Sequence, residues 1–167
     1  VLQYDHGERD EGRAYLYLGS GSGLSPSPSW FVEGNQVDAY LGQSVASAGD
    51  VNGDGFSAIL VGAYGYDHGE TNEGRAFLYL GSPAGPDTLP AWTAESDANF
   101  AYMGRSVAAA GDVNGDGFGD VIVGASLYSG SGSGEGKAFL YLGSASGLAT
   151  LPVWQVIGNQ AGEQFGY

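Results

Sequence analysis

The chain repeats itself at a fixed interval of 62 residues. "GRAYLYLGS" begins at Gly12, "GRAFLYLGS" at Gly74 and "GKAFLYLGS" at Gly136, while Trp30, Trp92 and Trp154 keep the same spacing. "YDHGE" at Tyr4 returns at Tyr66, and "AGDVNGDGF" fills residues 48–56 and again 110–118. Leu41-Gly42, Met103-Gly104 and Phe165-Gly166 are also in phase. A repeat held without insertion means that every unit has the same fold and buries its apolar surface mainly against its neighbours.

Within a unit the apolar pattern is that of strands. Residues 14–18 (AYLYL) and 58–61 (AILV) are short, rich in aromatic and branched residues, and bounded by glycine or loop clusters. The segments around the tryptophans and the runs "QSVASAG" and "RSVAAAG" supply two more strands, about four per unit. Apolar residues on both faces of AYLYL suit a sheet covered on both sides. A four-stranded unit that packs only against copies of itself is a β-propeller blade. The expected fold is therefore all-β, with blades of four antiparallel strands. A β-solenoid is the alternative, but its coils are shorter than this period.

Composition narrows the partners. With 19 acidic against 5 basic residues and a net charge of −14, phosphate backbones and anionic lipid surfaces repel the chain, whereas cations are attracted. Nucleic acid and membrane insertion are not expected, since no apolar run is long enough for a spanning helix. The absence of cysteine excludes disulfides and thiolate metal sites. The opening residues, VLQYDHGERDEG, contain neither a basic start nor an apolar stretch of signal-peptide type.

The duplicated acidic loop carries the chemistry. Asp50, Asn52 and Asp54 place side-chain oxygens at relative positions 1, 3 and 5, a glycine follows at 6, and Phe56 stands at 7, where a backbone carbonyl contributes. This is the spacing with which a calcium loop wraps a hard cation. Asp112, Asn114, Asp116 and Phe118 repeat it, with Asp120 added at position 9. The glutamate that closes an EF-hand at position 12 is replaced by Val61 and Val123, and the flanks read as strands. Asp, Asn and Gly also suit a metal-free turn. Two copies in register in so acidic a chain favour the cation, because clustered carboxylates repel one another unless neutralised.

"LGQSVASAGDVNGDGFSAILVGA" and "MGRSVAAAGDVNGDGFGDVIVGA" resemble FG-GAP repeats, the blades of the integrin α-subunit propeller and of many bacterial surface and secreted proteins. The resemblance covers essentially the whole chain. It implies a seven-bladed architecture with Ca²⁺ in D-x-[DN]-x-D-G-x-x-D loops between strands. Carried over, it implies one site at Asp112, Asn114, Asp116, the Phe118 carbonyl and Asp120, and another at Asp50, Asn52, Asp54 and the Phe56 carbonyl. Ala58 stands where the ninth-position aspartate belongs, so the first site is expected to be the weaker. Leu41 and Met103 replace the phenylalanine of the FG pair, which survives only at Phe165-Gly166.

Other candidates read as scaffold. His6 and His68, beside Asp5, Glu8, Asp67 and Glu70, offer metal-ligand or acid–base chemistry, yet they recur at the blade period, and catalytic residues are normally unique. The serine–glycine runs starting at Gly19 and Ser129 match no nucleophile or phosphate motif and read as turns. Trp30, Trp92 and Trp154, with Tyr15, Tyr17, Tyr79 and Tyr141, read as packing between sheets rather than as sugar-stacking platforms. Arg9, which Thr71 replaces one repeat later, and residues 126–134 vary where the scaffold does not, so recognition is expected there.

The leading functional expectation is a calcium-stabilised extracellular or periplasmic interaction module that binds a protein or glycan. A propeller lectin is the alternative, and no enzyme is expected. Three units would occupy 186 residues and the chain has 167, the difference corresponding to residues 44–62. The expectation is a partial propeller of about two and two-thirds blades. Residues 1–42 form the outer part of one blade, and 43–104 and 105–167 form two blades with calcium loops. Such a chain would be part of a longer propeller or a homo-oligomer.

Overall fold

The computed structural model describes residue 1, residues 3–130 and residues 133–167. Among these there is no helix, and hence none long and apolar enough to cross a membrane, which says nothing of a strand barrel. Ser131 and Gly132, within the serine–glycine run that starts at Ser129, lie outside the described residues.

Among the described residues twelve strands follow in order: β1 (Arg13–Leu16), β2 (Gly19–Ser20), β3 (Gly23–Leu24), β4 (Trp30–Glu33), β5 (Leu41–Gly49), β6 (Ala58–Ala63), β7 (Arg75–Tyr79), β8 (Trp92–Glu95), β9 (Met103–Gly111), β10 (Asp120–Ala125), β11 (Lys137–Tyr141) and β12 (Trp154–Ile157). Strands β5-β6-β7-β8 form one antiparallel meander and β9-β10-β11-β12 a second. In the first repeat β1 pairs β4, an outer pair equivalent to β7 and β8. This is the architecture of propeller blades, two of them four-stranded. The first serine–glycine run, read as a turn, contains the small hairpin β2-β3 as well.

The core lies between sheets. On β6, Leu60 and Val61 point to opposite faces, as neighbours on a strand must, and both are fully buried. Leu60 belongs to the cluster with Trp92 of its own sheet and Met103, Val121, Val123, Phe139 and Tyr141 of the following one. Val61 belongs to the cluster with Trp30, Val32, Leu41, Phe77 and Tyr79 that joins the preceding one. Each such side chain removed from water contributes about 1.5–3 kcal/mol, so the inter-blade faces supply the main stabilising term.

The tryptophans set the blade-to-blade register. The Trp30 indole packs edge-on to Tyr79 at 5.2 Å and donates to the Asp87 carbonyl at 2.9 Å. One repeat on, Trp92 does the same with Tyr141 at 4.8 Å and the Ala149 carbonyl at 2.9 Å. Indole and phenol are thus shared between neighbouring sheets, which removes Trp30, Trp92, Tyr79 and Tyr141 from any sugar platform.

Candidate metal sites

The two acidic loops join β5 to β6 and β9 to β10, at equivalent ends of their sheets because the blades repeat. Each loop is organised by its first aspartate. Asp50 Oδ1 accepts from the N–H groups of Gly53 (2.7 Å) and Asp54 (3.1 Å), and Oδ2 from Gly55 (2.8 Å). Asp112 repeats these bonds with Gly115 (2.8 Å), Asp116 (3.0 Å) and Gly117 (2.9 Å). The wrap requires left-handed backbone at Gly53 and Gly55, φ +75° and +87°, which glycine adopts without strain. The Gly55 N–H, assisted by those of Gly53 and Asp54, holds the Asp50 carboxyl below the ordinary carboxylate range against the opposing effect of desolvation.

Donor chemistry fits a hard cation. A carboxylate has about four lone-pair positions. Asp54 accepts from Phe56 N–H (2.8 Å) and from the Asn52 amide (2.8 Å), which leaves further positions for a metal, and Asp116 does likewise with Phe118 (3.0 Å) and Asn114 (2.7 Å). Oxygen ligands on a tight glycine-permitted turn are what Ca²⁺ takes.

Asp120 occupies a different setting. Its side chain is fully buried, and it accepts from Val113 N–H at 2.8 Å and from Gly143 N–H at 2.9 Å. It therefore ties the loop to the strand-exit turn of its own sheet. In the first loop Ala58 fills this place, buried and apolar. Asp112, Asp116 and Asp120 are not among the described groups that bring three ligand atoms within 4.8 Å of one another.

The two loops touch. Gly119 N–H donates to the Asp50 carbonyl at 2.8 Å, Ser144 N–H donates to the Val51 carbonyl at 3.1 Å, and the Phe118 ring lies against Gly53. Val51 is buried in the inter-blade core, so the first loop is anchored in the packing that holds the sheets together.

The histidines stand elsewhere and face partners that the sequence reading did not assign to them. His6 Nδ1 lies 3.4 Å from Glu33, and His68 Nδ1 lies 3.0 Å from Glu95. The expected companions are engaged by other groups: Asp5 accepts from Asp10 N–H and Asp67 from Asn72 N–H within their own loops, and Glu70 accepts from the Asn99 amide of the loop between β8 and β9. The missed residues are Glu11, Glu33, Glu73 and Glu95. Their signal was in the repeat: His6 and Glu33 recur as His68 and Glu95, and both are lost together as Gly130 and Ile157. Arg9, marked for recognition, is paired with Asp38 at the surface.

The FG-GAP repeat description matches residues 41–79 and 103–141, each spanning β5–β7 or β9–β11 with its acidic loop. The chain is an FG-GAP repeat protein. It is 35% identical to integrin alpha-3 of Cricetulus griseus over 162 residues, 92% of this chain and 15% of that protein. It is 37% identical to integrin alpha-IIb of Mus musculus over 128 residues, 72% of the chain and 12% of the relative. Integrin alpha-PS2 of Drosophila melanogaster is 34% identical over 128 residues, 72% and 9%. This FG-GAP protein thus spans less than a sixth of the length of these relatives.

Proposed function

We propose that the chain is a Ca²⁺-stabilised stretch of an extracellular adhesion-type propeller, a rigid support for recognising a protein or glycan rather than an enzyme. The carrying observation is the contact between the acidic loops. The hydrogen bond from Gly119 to the Asp50 carbonyl means that a cation rigidifying one loop also stiffens the blade interface. The likeness to integrin alpha subunits supports a cell-surface setting and a protein ligand. The proposed ligands are Asp50, Asn52, Asp54 and the Phe56 carbonyl in one loop, and Asp112, Asn114, Asp116, the Phe118 carbonyl and Asp120 in the other. For Asp120 this requires ligation through lone pairs that the two N–H donors leave free.

The same reading takes the chain as part of a larger ring, with units at residues 1–42, 43–104 and 105–167. The sheets that begin at Leu41 and Met103 support those divisions to within two residues. Two surfaces support further blades. Trp154, the counterpart of buried Trp30 and Trp92, is 48% exposed, and Val113, the counterpart of buried Val51, is exposed as well. An apolar cleft of about 500 Å³ lies between β1 and β5, lined by Tyr15, Leu16, Val45 and Ile59, where the repeat places the two inner strands of the first unit.

Thermal melts test the calcium reading. Extracellular calcium modules bind at roughly 10⁻⁴–10⁻³ M, and ligand at 100 times Kd stabilises by about 2.7 kcal/mol per site. At about 2–4 °C per kcal/mol for a chain of this size, about 10 mM Ca²⁺, which is 100 times Kd at the tighter end of that range, raises Tm by roughly 5–10 °C per occupied site over chelator. Identical curves contradict the proposal.

A further inference from the structure

In the second repeat the ring nitrogen of His68, a carboxylate oxygen of Glu73 and one of Glu95 lie within 4.8 Å of one another. The two carboxylates are held by different partners. Arg75 donates to Glu95 Oε2 through Nε at 2.9 Å, so Oε1 is directed to His68 Nδ1 at 3.0 Å. Glu73 is 1% exposed, and its Oε1 accepts from His68 N–H at 2.6 Å. Its Oε2 is buried without a hydrogen-bond partner. A buried carboxylate oxygen left unpaired costs free energy that a nearby cation would recover. Burial accordingly pushes the Glu73 carboxyl above its ordinary range, with the His68 N–H pulling the other way.

We propose that His68, Glu73 and Glu95 form a site for a divalent transition-metal ion of the Zn²⁺ type, distinct from the calcium loops. An imidazole with two carboxylates suits Zn²⁺, whereas Ca²⁺ prefers oxygen ligands alone. Zn–N and Zn–O distances of about 2.0–2.2 Å put tetrahedral neighbours about 3.4 Å apart, close to the 3.0 Å already separating His68 from Glu95. Binding replaces the hydrogen bond between them and displaces any proton on Nδ1, because the ligating imidazole must be neutral. His68 is largely exposed, which opens the site to solvent, while Arg75 fixes Glu95 from behind. Water completes the coordination.

The first repeat supplies an internal control. His6, Glu11 and Glu33 are grouped alike, but Glu11 uses both oxygens, one on His6 N–H at 2.8 Å and one on Asn35 N–H at 3.0 Å. Arg13 contacts the same Glu33 oxygen that faces His6. Glu33 Oε1 also lacks a hydrogen bond, but the Arg13 guanidinium lies against it and its positive charge opposes a cation there, while Glu11 has both oxygens engaged, so this group binds the metal more weakly.

The test is Zn²⁺ titration of the full chain at pH 7.5 in saturating Ca²⁺, followed by equilibrium dialysis and by NMR of the two histidine rings. One Zn²⁺ per chain is expected, with the His68 ring signals shifting well before those of His6. His68→Ala, at an exposed position, abolishes that binding without altering the melt, and Glu73→Gln weakens it at least tenfold. No uptake at 100 µM Zn²⁺, unchanged uptake in His68→Ala, or equal response of both histidines overturns the proposal. If Glu73→Gln does not fold, the His68→Ala comparison decides alone.

Discussion

Gly62 and Gly104 meet backbone to backbone across the interface between the two four-stranded sheets. A Cβ built on Gly62 would lie 1.8 Å from the Gly104 carbonyl oxygen, and Ser44 Oγ donates to that same oxygen at 2.8 Å. Gly124, Gly166 and Ser106 repeat the arrangement one blade later. The glycine of "VGA" in one unit and that of the apolar-Gly pair in the next are therefore one contact seen from two sides. Any side chain there would wedge the inner strands apart.

Gly62→Ala is accordingly expected to destabilise by about 3 kcal/mol, the upper part of the usual overpacking range, because the clash is with backbone that cannot rotate away. That corresponds to roughly 6–12 °C in Tm. Gly21→Ala, where an added Cβ meets nothing within 4 Å, serves as the control and should leave Tm nearly unchanged. Equal melts for the two variants would contradict the interface described here.

The tryptophans provide a matched pair. Trp92→Phe removes the indole donor from the Ala149 carbonyl and empties part of a buried contact, at a cost of about 1–3 kcal/mol for the unsatisfied acceptor alone. Trp154→Phe, at a half-exposed position, should stay within about 0.5 kcal/mol in the monomer. Urea unfolding of both variants separates them, and similar costs would mean that Trp154 is already covered.

High pH should unfold the chain through its buried tyrosines. Burial pushes the Tyr79 hydroxyl up to about 12, and burial raises Tyr141 as well. In the unfolded chain both ionise near pH 10. Their folded pKa lies above the unfolded one, so the stability they confer is intact below pH 10 and is lost as pH rises through the folded value, on the order of 2–3 kcal/mol for Tyr79 by pH 12. Melts between pH 9 and 12 should fall steeply above 10, and Tyr79→Phe should flatten that fall.

Much of this was legible because a repeat shows its own logic. The phase of the strands, the role of Trp30 and Trp92, and the cation-loop spacing at Asp50 and Asp112 all follow from residues recurring at one interval. What was hidden depends on pairing across the sheet. Glu95 reaches Arg75, and through it the His68 cluster, only because β7 and β8 pair with those two residues opposite each other. Asp120 meets Gly143 across β10 and β11, far apart in sequence. The β2-β3 hairpin was hidden for another reason: strands of two residues contain too few side chains for alternation to register.

The exposure of Trp154 and Val113, whose counterparts Trp92 and Val51 are buried, predicts association. Light scattering of the purified 17.1 kDa chain should give a discrete oligomer. A stable monomer would contradict the idea that blades of several chains complete a ring.

Calcium titration calorimetry on the wild-type chain and on Asp50→Ala and Asp112→Ala decides whether the acidic loops hold the cation. Two sites are expected in the wild type and one in each variant. The site lost with Asp112 is the tighter, because Asp120 braces that loop while Ala58 leaves the other without an acid. Absence of binding heat in the wild type, or binding unaffected by either substitution, would contradict that assignment.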